Sequence, residues 1–201
     1  KDIEEIIFLN LSRYELRKKG FSSLKSILRG VFRKAFTEGW ISENEFERVN
    51  MKKFDSMLIP DVPIEKRCHS NETVNKILDY LHEYQKKKPK YLPAYALEMQ
   101  ILCGLRRGEV PPLEWKDIDD SVIKINKEQL TVRNAKTLEE RFAIVQHTKT
   151  YVNRCFPVSD DVAELLQRLK KVQEAYYPNS KYLFPANSFN GVITNNAIYN
   201  F

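Results

Sequence analysis

A helix-period apolar run that ends on a glycine constrains this chain more than any other stretch. Leu92, Tyr95, Ala96, Met99, Leu102 and Cys103 recur at the i, i+3, i+4, i+7 spacing of one buried helix face. Gly104 stops the run, because glycine enters the left-handed conformation of a C-terminal cap without a Cβ penalty. Beyond it, Arg106 and Arg107 stand side by side between Gly104 and Gly108, with Glu109 next in line. A helix end therefore delivers a planar, permanently charged fork beside a carboxylate able to orient it. Such a fork suits two oxygens of one phosphate. A surface ion pair with Glu109 is the plainer account of the same residues. A P-loop is excluded, since the lysine followed by Ser or Thr is missing.

The rest of the composition narrows the field. In 201 residues, 42% are hydrophobic and 30% charged, which describes a globular chain with one sizeable core or a core and a smaller partner. No run approaches the roughly 20 apolar residues of a membrane span. The start, Lys1-Asp2-Ile3-Glu4-Glu5, lacks the pattern of a signal peptide, so a cytoplasmic protein is expected. Cys68, Cys103 and Cys155 are far apart, as are His69, His82 and His147, so neither a disulfide framework nor a structural metal is expected. The net charge of +6 fits a polyanionic partner.

Before the central run, residues 2–10 read as a short helix with Ile3, Ile6, Ile7 and Leu9 inward, followed by a basic loop over 13–20. A long amphipathic helix is expected over 22–38, its stripe formed by Leu24, Ile27, Leu28, Val31, Phe32, Ala35 and Phe36, with Gly39 as the stop. Lys25, Arg29 and Arg33 step along it every four residues, and Lys18 and Lys19 precede it. From residue 13 to 34 there are eight basic residues against one acid, Glu15. The small residues Ser22, Ser26 and Gly30 beside that row would let a phosphate backbone approach closely. A solvated face on an ordinary bundle helix is the alternative. Ser42 and Glu45 have capping-box spacing ahead of Phe46 and Val49.

After the central run, Ser70 should cap a helix with Val74, Ile77, Leu78 and Leu81 inward. Lys86 to Lys90 form a basic loop. Pro111 and Pro112 prevent helix beyond Glu109, and Trp115 and Ile118 are core plugs. Short β-rich runs at 121–125, 142–146 and 154–158 suggest a small antiparallel sheet, with the charged stretch 126–141 as a connection. Lys149 falls in the turn 148–153 between the last two. A helix capped by Ser159 or Asp160 buries Val162, Leu165, Leu166, Leu169 and Val172; Tyr182 to Pro185 make a buried connection, and Thr194 starts a last helix.

Gly104-Leu105-Arg106-Arg107-Gly108-Glu109-Val110, followed by Leu113-Glu114-Trp115-Lys116-Asp117-Ile118-Asp119, resembles the first-arginine motif of the tyrosine recombinases, the phage and transposon integrases. His147-Thr148-Lys149-Thr150 and Asn153-Arg154-Cys155-Phe156-Pro157 resemble that family's catalytic-lysine hairpin and the strand leaving it. The resemblance implies an α+β, mainly helical fold. Residues 1–58 would be the C-terminal part of a helical core-binding domain that clamps DNA, 59–66 a linker, and 67–201 the N-terminal part of a catalytic domain with a small antiparallel sheet. Glu45 and the Pro111–Pro112 pair depart from the usual pattern.

The implied activity is cleavage and rejoining of DNA through a 3′-phosphotyrosine, which needs no cofactor or metal. Position by position, Arg106 is the first catalytic arginine, Glu109 a supporting acid and Lys149 the general acid, with Arg107 to spare. Lys18, Lys19, Lys25, Arg29 and Arg33 are the expected DNA-binding residues. The partners are duplex DNA and further copies assembled on it. The family's H-x-x-R box and nucleophilic tyrosine have no match up to Phe201, and its first helices would lie before Lys1, so this stretch alone is expected not to complete the reaction. The alternatives are a recombinase-fold protein that binds DNA without chemistry, and an unrelated helical adaptor for acidic proteins.

Overall fold

The computed structural model describes residues 2–119, 121–134, 137, 139–188 and 190–201. Its contacts divide the chain into two compact units, Lys1–His69 and Ser70–Phe201.

In the first unit, helix α1 (Asp2–Tyr14) buries Ile3, Ile7 and Leu11, a strict four-residue step. Ile6 and Leu9, expected inward, are exposed because that step leaves them on the flanks. The expected basic loop at 13–20 is shorter. Helix α2 (Lys18–Thr37) begins after a break at Glu15, whose φ of 46° turns the chain. The α2 seam is Phe21, Leu24, Leu28, Phe32 and Ala35. Ile27, Val31 and Phe36 were expected in it and are exposed. At about 100° per residue, the seven-residue stripe spans half the helix circumference. The material opposite covers a narrower arc: α1 and the 3₁₀ turns Glu45–Arg48 and Met51–Met57, which contribute Phe46 and Phe54. The Ser42 capping box does not form, and Asn44 precedes the first of these turns without a side-chain cap bond.

In the second unit, α3 (Asn71–Lys87) is capped by Ser70, whose hydroxyl accepts the Thr73 amide at 3.2 Å. Helix α4 (Leu92–Cys103) is the predicted central run, and it packs against α3, α5 (Asp160–Tyr176) and α6 (Asn195–Tyr199). Because neighbours surround it, its burial exceeds one face: Pro93, Ala94 and Glu98 are buried as well. Ser159 and Thr194 cap α5 and α6, accepting the amides of Val162 and Ala197. Trp115 and Ile118 pack against the core, and Leu183 and Phe184 lie inside it.

The strands are β1 (Val122–Ile125), β2 (Glu128–Arg133), β3 (Glu140–Val145) and β4 (Arg154–Pro157). They form two antiparallel pairs, β1 with β4 and β2 with β3. The stretch read as a charged connection thus contains a strand. β2 inverts the usual pattern, burying Glu128 and Gln129 while exposing Leu130 and Val132. Gln129 is buried because its side chain donates to the Ile193 carbonyl at 3.1 Å and accepts the Asn195 amide at 2.7 Å, fastening α6.

One buried charge ties three helices together. Glu98 of α4 accepts hydrogen bonds from Gln85 at 2.7 Å and Arg168 at 2.5 Å, and His82 Nε2 lies 2.8 Å from it. Burial alone would push the Glu98 carboxyl up, but Arg168, Gln85 and His82 outweigh it and hold it below the ordinary glutamate range. A carboxyl depressed in the fold contributes stability above the unfolded-chain value, and loses it as pH falls through the folded value. Losing a buried partner costs ~3–5 kcal/mol. Arg168 keeps 36% of its side chain exposed, which lowers the figure here. Glu98→Gln should therefore cost about 2 kcal/mol near neutral pH. The gap to the parent protein should narrow as pH falls below the ordinary glutamate value of ~4.3. Urea midpoints from pH 3 to 7 measure this; a gap that does not change with pH would refute it.

Candidate active site

The site begins where α4 stops. Gly104 takes φ of 59°, the left-handed cap expected from sequence, and buried Leu105 returns the chain to the core. Arg106 is extended, and Arg107–Glu109 form one 3₁₀ turn. Glu109 is fully buried and folds back over this turn. Its carboxylate accepts the Arg106 amide at 2.8 Å and the Arg106 Nη1 at 3.1 Å. Gly108 is required here because a Cβ would lie 2.8 Å from the Gln129 carbonyl oxygen. The arginine turn is thus seated directly on β2. Val110, Pro111, Pro112 and Leu113 continue inward, and all four are buried.

Glu109 has a second cation. Arg154, the first residue of β4, donates through Nη2 to both Glu109 oxygens. Two guanidinium groups around one carboxylate leave a net positive charge, and 41% of the Arg106 side chain is exposed to present it. The sequence motif contains Arg154 but assigns it no role. A single sequence holds no signal that pairs it with a residue 45 positions earlier. Arg107, by contrast, lies over the Tyr199 ring, 5.2 Å from its centroid, and makes no bond to Glu109.

Lys149 sits in the turn joining β3 to β4. The two strands are not partners, so the expected lysine hairpin is a connection between separate strand pairs. Thr148 is fully buried, its hydroxyl donating to the Val152 carbonyl at 2.9 Å, and the Tyr151 amide donates to the Thr148 carbonyl at 2.9 Å. Lys149 itself is exposed, with no hydrogen bond or ion pair among the described residues.

The remaining expected residues lie in the first unit. Lys18 and Lys19 open α2. Lys25 covers the Phe21 ring at 4.6 Å. Arg29 lies 5.7 Å from the Phe46 centroid and 3.8 Å from Glu47, an exposed pair too weak to occupy it. Arg33 is exposed. Gly30 faces open space, with nothing within 4 Å of an added Cβ. A basic row beside small residues is what the sequence suggested, although two of its stems also shield aromatic rings.

A model of the phage integrase family matches residues 69–200, which include both the Arg106 turn and the Lys149 connection. The chain belongs to the phage integrase family. No curated protein matches it. By structure, this integrase-family chain is similar to the Tn1549 transposon integrase in complex with transposon right end DNA, at 22% sequence identity and a TM-score of 0.62, covering 96% of this chain and 58% of that one. A Tn1549 integrase complex with a circular intermediate DNA gives the same identity and TM-score, covering 98% and 60%. A lambda integrase tetramer bound to a Holliday junction matches at 16% identity and a TM-score of 0.56, covering 98% and 49%. At these identities the likeness establishes the tyrosine recombinase fold. The chain spans about three fifths of the length of the Tn1549 integrase chains. Among the described residues, no helix is long and apolar enough to cross a membrane.

Proposed function

We propose that the full-length protein is a site-specific DNA recombinase of a mobile element, acting in the cytoplasm on the nucleoid. The observation that carries this reading is the Arg106 guanidinium, oriented by a fully buried Glu109 and left part-exposed at a helix end. In the reaction a tyrosinate oxygen, its phenolic proton already given up to solvent, forms a bond to phosphorus while the bond from phosphorus to O5′ breaks. The electron pair leaves with O5′, which takes its proton from the Lys149 ammonium. Arg106 grips a non-bridging oxygen, where negative charge grows in the transition state. The bond energy is retained in the 3′-phosphotyrosine for rejoining, so no nucleotide is consumed.

Lys18, Lys19, Lys25, Arg29 and Arg33 neutralise phosphates along the duplex, and further copies join on paired sites. Binding to duplex DNA should then fall with salt by about 0.9 log units per log unit of salt for each phosphate contacted. Alanine at Lys25, Arg29 and Arg33 together should flatten that slope by about 2.7. An unchanged slope would remove α2 from the interface. Incubation of the full-length protein with a library of nicked duplexes should yield an SDS-stable, DNA-shifted band; binding without that band would favour a recombinase-fold protein without chemistry.

A further inference from the structure

We propose that Tyr151 is a positioning residue for Lys149, acting through its stack on His147. This rests on the recombinase reading of Lys149. Tyr151 has φ of 56°, the left-handed region that glycine occupies freely and a bulky side chain does not. Backbone strain of this kind persists where the surroundings over-determine it. Here the Tyr151 ring lies 4.3 Å from the His147 ring with 20° between their planes, and 77% of the residue is exposed. An exposed tyrosine held in a glycine conformation is not there to fill a core.

In sequence, the pair brackets Lys149. His147 precedes it by two residues and Tyr151 follows it by two. His147 Nδ1 lies 3.1 Å from the Thr148 carbonyl oxygen, which also receives the Tyr151 amide, and the Thr148 hydroxyl reaches Val152. Every residue flanking the Lys149–Thr150 pair is tied, while the lysine ammonium has no hydrogen bond or ion pair among the described residues. Closing the two rings on each other fixes the backbone from which the lysine projects and narrows the directions open to its four-carbon stem. A general acid must meet the leaving oxygen at hydrogen-bond distance, and a misplacement of about 1 Å is expensive in rate.

The test is single-turnover cleavage by the full-length protein with two substrates, one native and one carrying a 5′-bridging sulfur. A thiolate leaves without a proton, so the second substrate does not need the general acid. Tyr151→Gly, which suits the observed φ and removes the ring, should slow cleavage of native DNA about tenfold, and His147→Ala should do the same. Both should cleave the sulfur substrate at the parent rate, as should Lys149→Ala. Tyr151→Phe, which keeps the ring, should recover the native rate lost in Tyr151→Gly. Tyr151→Gly at the parent rate on native DNA would overturn the inference, as would slowing that persists on the sulfur substrate. A loss confined to DNA affinity would overturn it too, by making the ring a DNA contact. In these cases the parent enzyme still cleaves and the recombinase reading stands. If the parent cleaves neither substrate, that reading falls and takes the inference with it.

Discussion

Arg106→Ala should lower DNA cleavage by the full-length protein about a thousandfold, while Arg107→Ala stays within a few-fold of the parent. The two arginines are neighbours in sequence and differ in everything the fold has done with them. Arg106 presents its guanidinium from a carboxylate that is itself fully buried and hydrogen-bonded, and a preorganised donor to a developing oxyanion contributes ~10²–10³ in rate. A donor with full positive charge belongs at the upper end. Alanine retains the main-chain amide that Glu109 accepts at 2.8 Å, so the turn should survive and the thermal midpoint should move little. Arg107 lies on Tyr199, and losing that contact costs about 0.5–1 kcal/mol of stability without touching the Glu109 cluster. Arg106→Lys is the informative intermediate: it keeps the charge and loses the fork, so it should recover part of the rate at most. Single-turnover cleavage beside thermal unfolding measures both quantities. Equal rate losses for the two alanine variants would undo the assignment.

The elements that sequence revealed are those whose signals are local. α4 and its Gly104 cap, and the Ser70, Ser159 and Thr194 caps, follow from spacing and side-chain chemistry within one turn. Where the structure departs from the sequence pattern, the cause lies in tertiary surroundings. The seam of α2 was drawn too wide because periodicity tells which residues share a side, whereas the width buried depends on what lies opposite. β2 is hidden from sequence because its buried residues are the polar Glu128 and Gln129, and the hydrogen-bonding partners that bury Gln129 lie elsewhere in the chain. The Arg106–Glu109 contact was legible, being three residues apart. The Arg154 contact was not, because β1 pairing with β4 is what carries Arg154 back to the arginine turn.

These long-range contacts explain how a short turn holds a rigid site. The Arg107–Glu109 turn rests on the β2 backbone through Gly108, and β2 fastens α6 through Gln129. α6 in turn offers Tyr199 to Arg107. The turn is thus held from the β2 side and from the α6 side, while Glu109 anchors it from within. A catalytic guanidinium gains from such a frame because little reorganisation is left for the reaction itself.

Glu109 should accordingly be the residue whose loss damages both stability and rate. A fully buried carboxylate between two guanidinium groups is costly to desolvate, and removing one partner from such a pair leaves an uncompensated charge at ~3–5 kcal/mol. Arg154 keeps 31% of its side chain exposed and Arg106 keeps 41%, so water relieves part of that cost. Glu109→Gln should destabilise the protein by about 3 kcal/mol. Cleavage should also fall, because Arg106 loses its orientation. Arg154→Gln should cost less, about 2 kcal/mol, since Glu109 still accepts the Arg106 amide and guanidinium. The double variant has no unpaired charge from this pair, so its loss should be smaller than the sum of the single losses by at least ~1 kcal/mol. Urea unfolding of the four proteins gives that coupling directly. Additive losses would mean that Arg154 merely lies beside Glu109, and the stability of the arginine turn would then have to come from its seat on β2.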